Sequence, residues 1–248
     1  MIVSSVLAIL VLCFTGLPPH SVWWLAIVSV IFEAFYYILL SFAYDSQDFS
    51  LVYPVARGAA PALVAIWSAL FLHEIPSTGG FIGIAMVILG MVFIGAAGFS
   101  QPGAGKLQLK GIAIALLLAF FISIYTSIDG YAVKHSPTLL YGMTIFALVP
   151  LLTTPVIVKR YGLKDMISVW RRQPVRLLVI GILCVVAYML ALFAYSLAPV
   201  NYSEAIREVS VVLAAFAGWQ FLGEKLGKVR ILGAVVIFAG IVMIAILG

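Results

Sequence analysis

Residues 70–95 read LFLHEIPSTGGFIGIAMVILGMVFIG, and residues 220–244 read QFLGEKLGKVRILGAVVIFAGIVMI. When the chain is shifted against itself by 150 residues, charged residues and glycines coincide in pairs: Arg57 with Arg207, Glu74 with Glu224, Gly83 with Gly233, and Gly90 with Gly240. A shift of 151 aligns the preceding stretch, with FAY at 42–44 and again at 193–195. Apolar residues often coincide by chance in such an apolar chain, whereas charges and glycines in register indicate an internal repeat.

The composition restricts the class of protein. Of 248 residues, 65% are hydrophobic and only 9% are charged, with a mean hydropathy of +1.21. A soluble domain has about 45–50% apolar and about 25% charged residues, so we predict an all-α polytopic membrane protein. The net charge of +5 lies mostly in short loops and forms no nucleic-acid motif, so no nucleic-acid partner is expected.

The two cysteines, Cys13 and Cys184, each lie in an apolar run. We interpret them as small core residues, because free cysteines are commonly buried. They match no metal-ligand spacing. The sequence therefore predicts neither a metal nor a cofactor.

Membrane spans are predicted from apolar runs of about 20 residues. Turn residues separate most of these runs, whereas the longer stretch 159–174 is predicted to contain a short interfacial helix with Trp170. The first run is short, but its flanks lack the features of a signal peptide, which favours a shortened or tilted helix. Nine spans result: 2–16, 22–44, 50–72, 78–98, 109–129, 138–158, 175–197, 200–222 and 229–247.

The repeat divides the chain into four helices over 1–98, a linker over 99–108 and five helices over 109–248. Because five is odd, two complete copies would cross the membrane with opposite orientation, as in many secondary transporters. The first half lacks a counterpart of span 109–129. The repeat symmetry favours a start upstream of residue 1 over loss of that helix.

Basic residues gather in three loops that lie on one side of the membrane by parity. The positive-inside rule places these loops in the cytoplasm, which predicts a cytoplasmic N-terminus and an external C-terminus for nine spans. The residues are Lys106 and Lys110; Lys159, Arg160, Lys164, Arg171, Arg172 and Arg176; and Lys225, Lys228 and Arg230.

The junction LFLHE or QFLGEK, followed by a helix punctuated with glycine, resembles the drug/metabolite transporter superfamily of the EamA type. The resemblance covers nearly the whole chain and implies a transporter with helices around a central cavity. It also implies that both termini are cytoplasmic, which conflicts with the charge rule. His73 departs from the glycine that usually precedes the glutamate.

Ionisable residues inside a span are costly and are expected to face a cavity or a partner. In the third span, Tyr53 precedes Arg57 by one turn, and Pro61 removes the helical hydrogen bond of the Arg57 carbonyl. We predict that Tyr53 and Arg57 bind substrate. The alternative is that Arg57 pairs with Glu33 and locks two helices together.

The eighth span contains Glu204, Arg207 and Glu208. Both Arg207 and Glu208 share a helix face with Glu204, so Glu204 can neutralise Arg207. Arg207 is predicted to bind substrate. Two carboxylates this close in a low dielectric resist ionising together, which makes Glu208 and Glu204 candidates for proton coupling. The alternative for Glu204 is a solvated position at the membrane interface.

Three further residues are candidate substrate contacts. Glu33 lies in the middle of the second span, and an ionisable group there is expensive. The resemblance places the helices of Tyr125 and Tyr188 around the cavity. Glu74 and Glu224 lie at span ends beside a helix N-terminus and are predicted to be structural.

We therefore expect a secondary transporter that moves a small anionic or zwitterionic metabolite, such as an amino acid or organic anion, across a bacterial inner membrane by alternating access. Paired arginines favour such substrates because guanidinium groups bind carboxylates well. The sequence contains no catalytic motif, so no enzyme is predicted. A non-transporting scaffold is the main alternative, and an intramembrane enzyme is a remote one. The candidate partners are the substrate, the bilayer, coupling protons and a second copy in a homodimer.

Overall fold

The computed structural model describes residues 2–46, 49–96, 105–210, 212–213 and 228–248, and it describes side chains outside 44–55, 94–109 and 228–230. Every regular element in these ranges is helical. The predicted all-α class is therefore confirmed. Tyr53 has its side chain outside this description, and Glu224 lies outside the described residues altogether.

Ten α-helices have described bounds, and two shorter elements adjoin them. A 3-10 turn, His20–Val22, precedes the second helix, and a π-helical turn, Ser68–Leu72, follows the third. The helices are α1 Ile2–Thr15, α2 Trp23–Ser46, α3 Phe49–Trp67, α4 Thr78–Ala96, α5 Gly105–Lys134, α6 Thr138–Tyr161, α7 Leu163–Arg172, α8 Pro174–Leu197, α9 Val200–Arg207 and α10 Lys228–Leu247.

Four described stretches are long and apolar enough to cross a membrane: His20–Ala43, Lys110–Lys134, Thr138–Tyr161 and Pro174–Leu197. Shorter apolar helices cover Ile2–Thr15, Ala56–Leu72, Thr78–Phe93 and Ile231–Leu247. Much of the predicted span 200–222 lies outside the described residues. The chain is a polytopic helical membrane protein, whereas the number of nine spans stays a prediction.

The loop between α6 and α8 contains the short helix predicted there, and its bounds are Leu163–Arg172. Gly162, at φ +82°, separates it from α6. None of its residues is buried.

The two cysteines are not core residues. The side chains of Cys13 and Cys184 are both exposed on the protein surface, so that prediction was wrong. An apolar surface of a membrane helix faces lipid, and a hydropathy pattern alone does not separate lipid-facing positions from buried ones.

The chain forms two compact units, each assembled from separate parts of the sequence. Unit 1 contains Met1–Ile38 and Ile124–Leu197, and unit 2 contains Leu39–Ser123 and Ala198–Gly248. Each unit therefore draws on both sequence halves. The predicted boundaries at 1–98, 99–108 and 109–248 concern the repeats and stay a prediction.

In unit 2, α4 packs closely against α10 through glycines. A Cβ atom at Gly83 would lie 2.8 Å from the Gly240 carbonyl oxygen, and one at Gly90 would lie 2.6 Å from that of Gly233. The helices are antiparallel, because the earlier glycine of α4 contacts the later glycine of α10 and the later contacts the earlier. Small residues permit this approach because they keep side chains out of the interface.

The π-helical turn after α3 ends at His73, which has the left-handed conformation φ 57°, ψ 25°. Glu74 follows, and its Oε2 accepts hydrogen bonds from the Val200 amide at 2.7 Å and from Ser68 Oγ at 3.2 Å. Asn201 Nδ2 also donates to the Glu74 carbonyl oxygen at 2.9 Å. Glu74 thus caps the N-terminus of α9, which confirms its structural role, although the helix it caps is distant in sequence.

In unit 1, α1 packs against α6 and α8. Ser4 Oγ donates to the Gly181 carbonyl oxygen at 3.2 Å, and Ser5 Oγ donates to that of Phe146 at 3.0 Å. Pro150 lies four residues after Phe146 and has no N–H to offer that carbonyl. The Ser5 hydroxyl therefore supplies the hydrogen bond that the α6 backbone lacks there.

Candidate functional site

Asp129, in α5, is the centre of a hydrogen-bonded side-chain cluster in unit 1. Its Oδ1 accepts from Ser29 Oγ at 2.5 Å and from Tyr141 Oη at 2.7 Å, and its Oδ2 accepts from Tyr188 Oη at 2.5 Å. These donors belong to α2, α6 and α8. Asp129 is fully buried, so it joins four helices through one carboxylate.

Glu33 lies in α2 in the same unit and is 3% exposed. Its carboxyl group is hydrogen-bonded to Tyr37 and interacts electrostatically with Asp129. Its Oε2 is buried and has no hydrogen-bond partner among the described residues. The two buried acidic groups of unit 1 therefore differ: Asp129 accepts three side-chain hydrogen bonds, whereas Glu33 Oε2 accepts none from the described residues.

Glu33 lines a cavity of about 80 Å³ that lies within unit 1. Tyr37 contributes to the same wall, and α6 and α8 contribute Phe146, Pro150 and Cys184. No lysine or arginine is among the lining residues. The cavity is therefore mostly apolar and has one acidic group.

Aromatic rings extend the polar cluster of unit 1. Tyr125 is 8% exposed, and its ring lies 5.9 Å from that of Tyr36, centroid to centroid. Tyr188 presents its ring to Phe146 edge-on, at 5.3 Å and 80°. The predicted residues Glu33, Tyr125 and Tyr188 thus belong to one unit.

Unit 2 contains an ion pair between α3 and the end of α9. Arg57 Nη2 lies 3.0 Å from Glu208 Oε1, with the two side chains 15% and 0% exposed. Glu208 therefore partners Arg57, in place of the Glu33 considered as an alternative. Helix α9 ends at Arg207, and residue 208 is a turn before helical residues resume at 209.

A second ion pair lies within α9. Arg207 Nη1 lies 2.6 Å from Glu204 Oε2, at i and i+3, as the helical spacing predicted. Glu204 is fully buried, so the solvated alternative for this residue was wrong. Glu208 also interacts electrostatically with Glu204 and Arg207, and the two arginines and two glutamates balance in charge.

Sequence reasoning did not select Asp129, Tyr141 or Ser29 as site residues. The predicted span 109–129 ends at Asp129, which places the residue at the edge of the span. The available signal was the length of the apolar helix, since α5 extends to Lys134 and so places Asp129 inside it. The donors on three other helices are not visible in a local pattern.

Among the described residues, no group of three histidine, cysteine, aspartate or glutamate side chains is arranged to hold a metal ion. The carboxylates instead bind hydroxyl groups and guanidinium groups. Carboxylates with such partners can bind protons or the charged groups of organic ions.

A profile of the EamA-like transporter family matches residues 109–246, more than half of the chain. The chain belongs to the EamA-like transporter family. The expected family is thereby confirmed. This EamA-like protein is also similar to an uncharacterized transporter, YdfC, from Bacillus subtilis (strain 168).

The two proteins are 28% identical over 215 residues, which is 84% of this chain and 66% of the relative. The chain thus spans just under two thirds of that relative's length. The match extends beyond the C-terminal half recognised by the family profile.

Proposed function

We propose that this EamA-like protein is a secondary transporter that moves a small anionic or zwitterionic metabolite across a bacterial inner membrane by alternating access. The observation that carries the proposal is the set of buried ionisable residues in apolar helices: Glu33, Asp129, Glu204 and Glu208 are all at most 3% exposed. An ionised group at such depth costs about 2.5–3.5 kcal/mol on insertion scales. Transport explains such groups better than packing does.

An inverted repeat is part of the same proposal, and the α4–α10 contact supports it. Gly83 meets Gly240 and Gly90 meets Gly233, while the sequence pairs Gly83 with Gly233 and Gly90 with Gly240. Each glycine thus contacts the repeat counterpart of the other. A two-fold axis produces this reciprocal pattern, and an axis in the membrane plane relates inverted halves of transporters.

The ion pair Arg57–Glu208 suggests how an acidic substrate and a proton are linked. A substrate carboxylate that binds Arg57 competes with Glu208 for the guanidinium group. Glu208 is fully buried, so its displacement from Arg57 favours protonation. In this proposal, substrate binding at Arg57 and proton binding at Glu208 occur together. The Arg207–Glu204 pair acts in the same way, with Arg207 as the substrate-binding residue and Glu204 as the proton-binding one.

The test is counterflow in proteoliposomes prepared from the purified full chain. Vesicles are loaded with one member of a panel of neutral amino acids and monocarboxylates, and uptake of the labelled compound is measured without ATP. We expect saturable exchange for at least one compound. Failure of every compound to exchange would contradict the proposed function.

A pair of variants tests the arginine. Arg57→Gln is expected to raise the KM for the exchanged compound at least tenfold, because a lost charge-assisted hydrogen bond is worth about 1.5–3 kcal/mol. The control is Arg172→Gln, which removes an exposed arginine from α7. Equal KM values in the two variants would remove Arg57 from the site.

A further inference from the structure

The cavity of unit 1 has features that point to a specific class of ligand. Its volume is about 80 Å³, whereas a cavity of about 10–15 Å³ on the same measure holds one water molecule. Glu33 supplies its charge, and Tyr37 and Phe146 supply aromatic surface. The remaining lining includes Val149 and Pro150, which offer no side-chain hydrogen bond.

The carboxylate of Glu33 has an open position for a donor. Its Oε2 has no partner among the described residues, while the group as a whole is 3% exposed. Tyr37 supplies one hydrogen bond to the carboxyl group, but a buried carboxylate with an oxygen that accepts none is disfavoured. A ligand that donates hydrogen bonds and carries positive charge compensates it best.

The Tyr37 hydroxyl is hydrogen-bonded to the Glu33 carboxyl group, and three other hydroxyl groups of unit 1 donate to other acceptors. Ser4 also lines the cavity, but its hydroxyl donates to the Gly181 carbonyl oxygen. The hydroxyls of Tyr141 and Tyr188 donate to Asp129. The open oxygen of Glu33 is therefore left for a group that enters the cavity.

We propose that this cavity binds the protonated amino group of the transported metabolite, with Glu33 as the counter-ion and the rings of Tyr37 and Phe146 alongside it. Ammonium groups are attracted both to carboxylates and to aromatic faces. The inference rests on the proposed function, and it narrows the substrate to compounds that carry an amine. An acid without an amine would meet only repulsion at Glu33.

Cys184 provides a reporter, because its side chain lines the cavity and is also exposed at the protein surface. The chain has two cysteines, so Cys13→Ser leaves Cys184 as the reactive thiol in the purified full chain. The probe is ethylammonium chloride, with sodium chloride at equal ionic strength as the reference. At three times its Kd, ethylammonium is expected to slow maleimide labelling of Cys184 about fourfold and to raise the unfolding temperature by mass action.

Three comparisons decide the outcome. Glu33→Gln is expected to abolish both effects, whereas Asp165→Asn, which removes an exposed carboxylate from α7, should retain them. Sodium propionate should produce neither effect. The proposal is overturned when ethylammonium has no effect, when Glu33→Gln responds as the parent does, or when propionate acts equally well.

A second variant covers the case in which Glu33→Gln does not fold. Phe146→Leu keeps an apolar wall and removes one ring, so ethylammonium is expected to bind about 2–5-fold more weakly. An unchanged affinity would overturn the proposal.

The binding and transport tests separate the two hypotheses. Binding of ethylammonium without exchange of any metabolite would support the site and contradict the transporter function. Exchange of amino acids with an unchanged KM in Glu33→Gln would support the transporter function and contradict the site at Glu33.

Discussion

Arg57 Nη2 lies 3.0 Å from Glu208 Oε1, so an ion pair joins α3 to the residue that directly follows α9. The pair is mostly buried, since the Arg57 side chain is 15% exposed and the Glu208 side chain is 0% exposed. When one member of a buried pair is removed, the other remains buried with less compensation. The single variants should therefore cost more stability than removal of both members of the pair.

Glu208→Gln is expected to lower the free energy of unfolding by about 3–5 kcal/mol, because the arginine stays charged. The double variant Arg57→Gln with Glu208→Gln should lose less than the sum of the single variants. Unfolding in mixed detergent and SDS micelles measures these values. Additivity within about 0.5 kcal/mol would show that the pair does not couple.

Gly90→Ala is expected to destabilise unit 2 by about 1–3 kcal/mol, because the new methyl group overpacks the α4–α10 contact. Its Cβ would lie 2.6 Å from both the Gly233 carbonyl oxygen and Ile237 Cγ1. Leu89→Ala, at a side chain 54% exposed on the same helix, is the control. If the two variants unfold at the same temperature, the helices are not in close contact at Gly90.

Tyr141→Phe removes one donor to Asp129 and leaves the ring in place. The bond is buried and 2.7 Å long, and hydrogen bonds between membrane helices contribute about 0.6–1.7 kcal/mol. We expect a loss in that range by thermal unfolding of the detergent-solubilised protein. Tyr131→Phe, at a ring 40% exposed, should have no measurable effect, and equal losses would argue against the Asp129 cluster.

His73→Gly is expected to stabilise the protein by about 0.5–1 kcal/mol, because glycine adopts the left-handed region without strain. His73 has φ 57° there. His73→Ala removes the imidazole but keeps the strain, so it should not stabilise. Stabilisation by alanine as well would assign the effect to the imidazole.

Features set by local periodicity were predictable from the sequence, and features set by contacts between distant helices were not. The Glu204–Arg207 pair follows from helical spacing and is present at 2.6 Å. The pairing of Arg57 with Glu208 requires α3 to meet α9, which no local pattern encodes. For the same reason, the structural role of Glu74 was predictable, but the helix that it caps was not.

Asp129 illustrates the limit most clearly. An aspartate in an apolar helix signals function only when its depth is known, and the predicted span ended at that residue. Its three donors come from α2, α6 and α8. The side-chain cluster of unit 1 therefore became visible only in three dimensions, although Glu33, Tyr125 and Tyr188 had each been selected singly.

The reciprocal glycine contact has a consequence for biosynthesis. Helix α4 packs against α10, which leaves the ribosome much later. At about 5–20 residues per second, α4 waits on the order of ten seconds for its partner. During that interval the α4 surface that later packs against α10 is open to lipid or to other newly made helices.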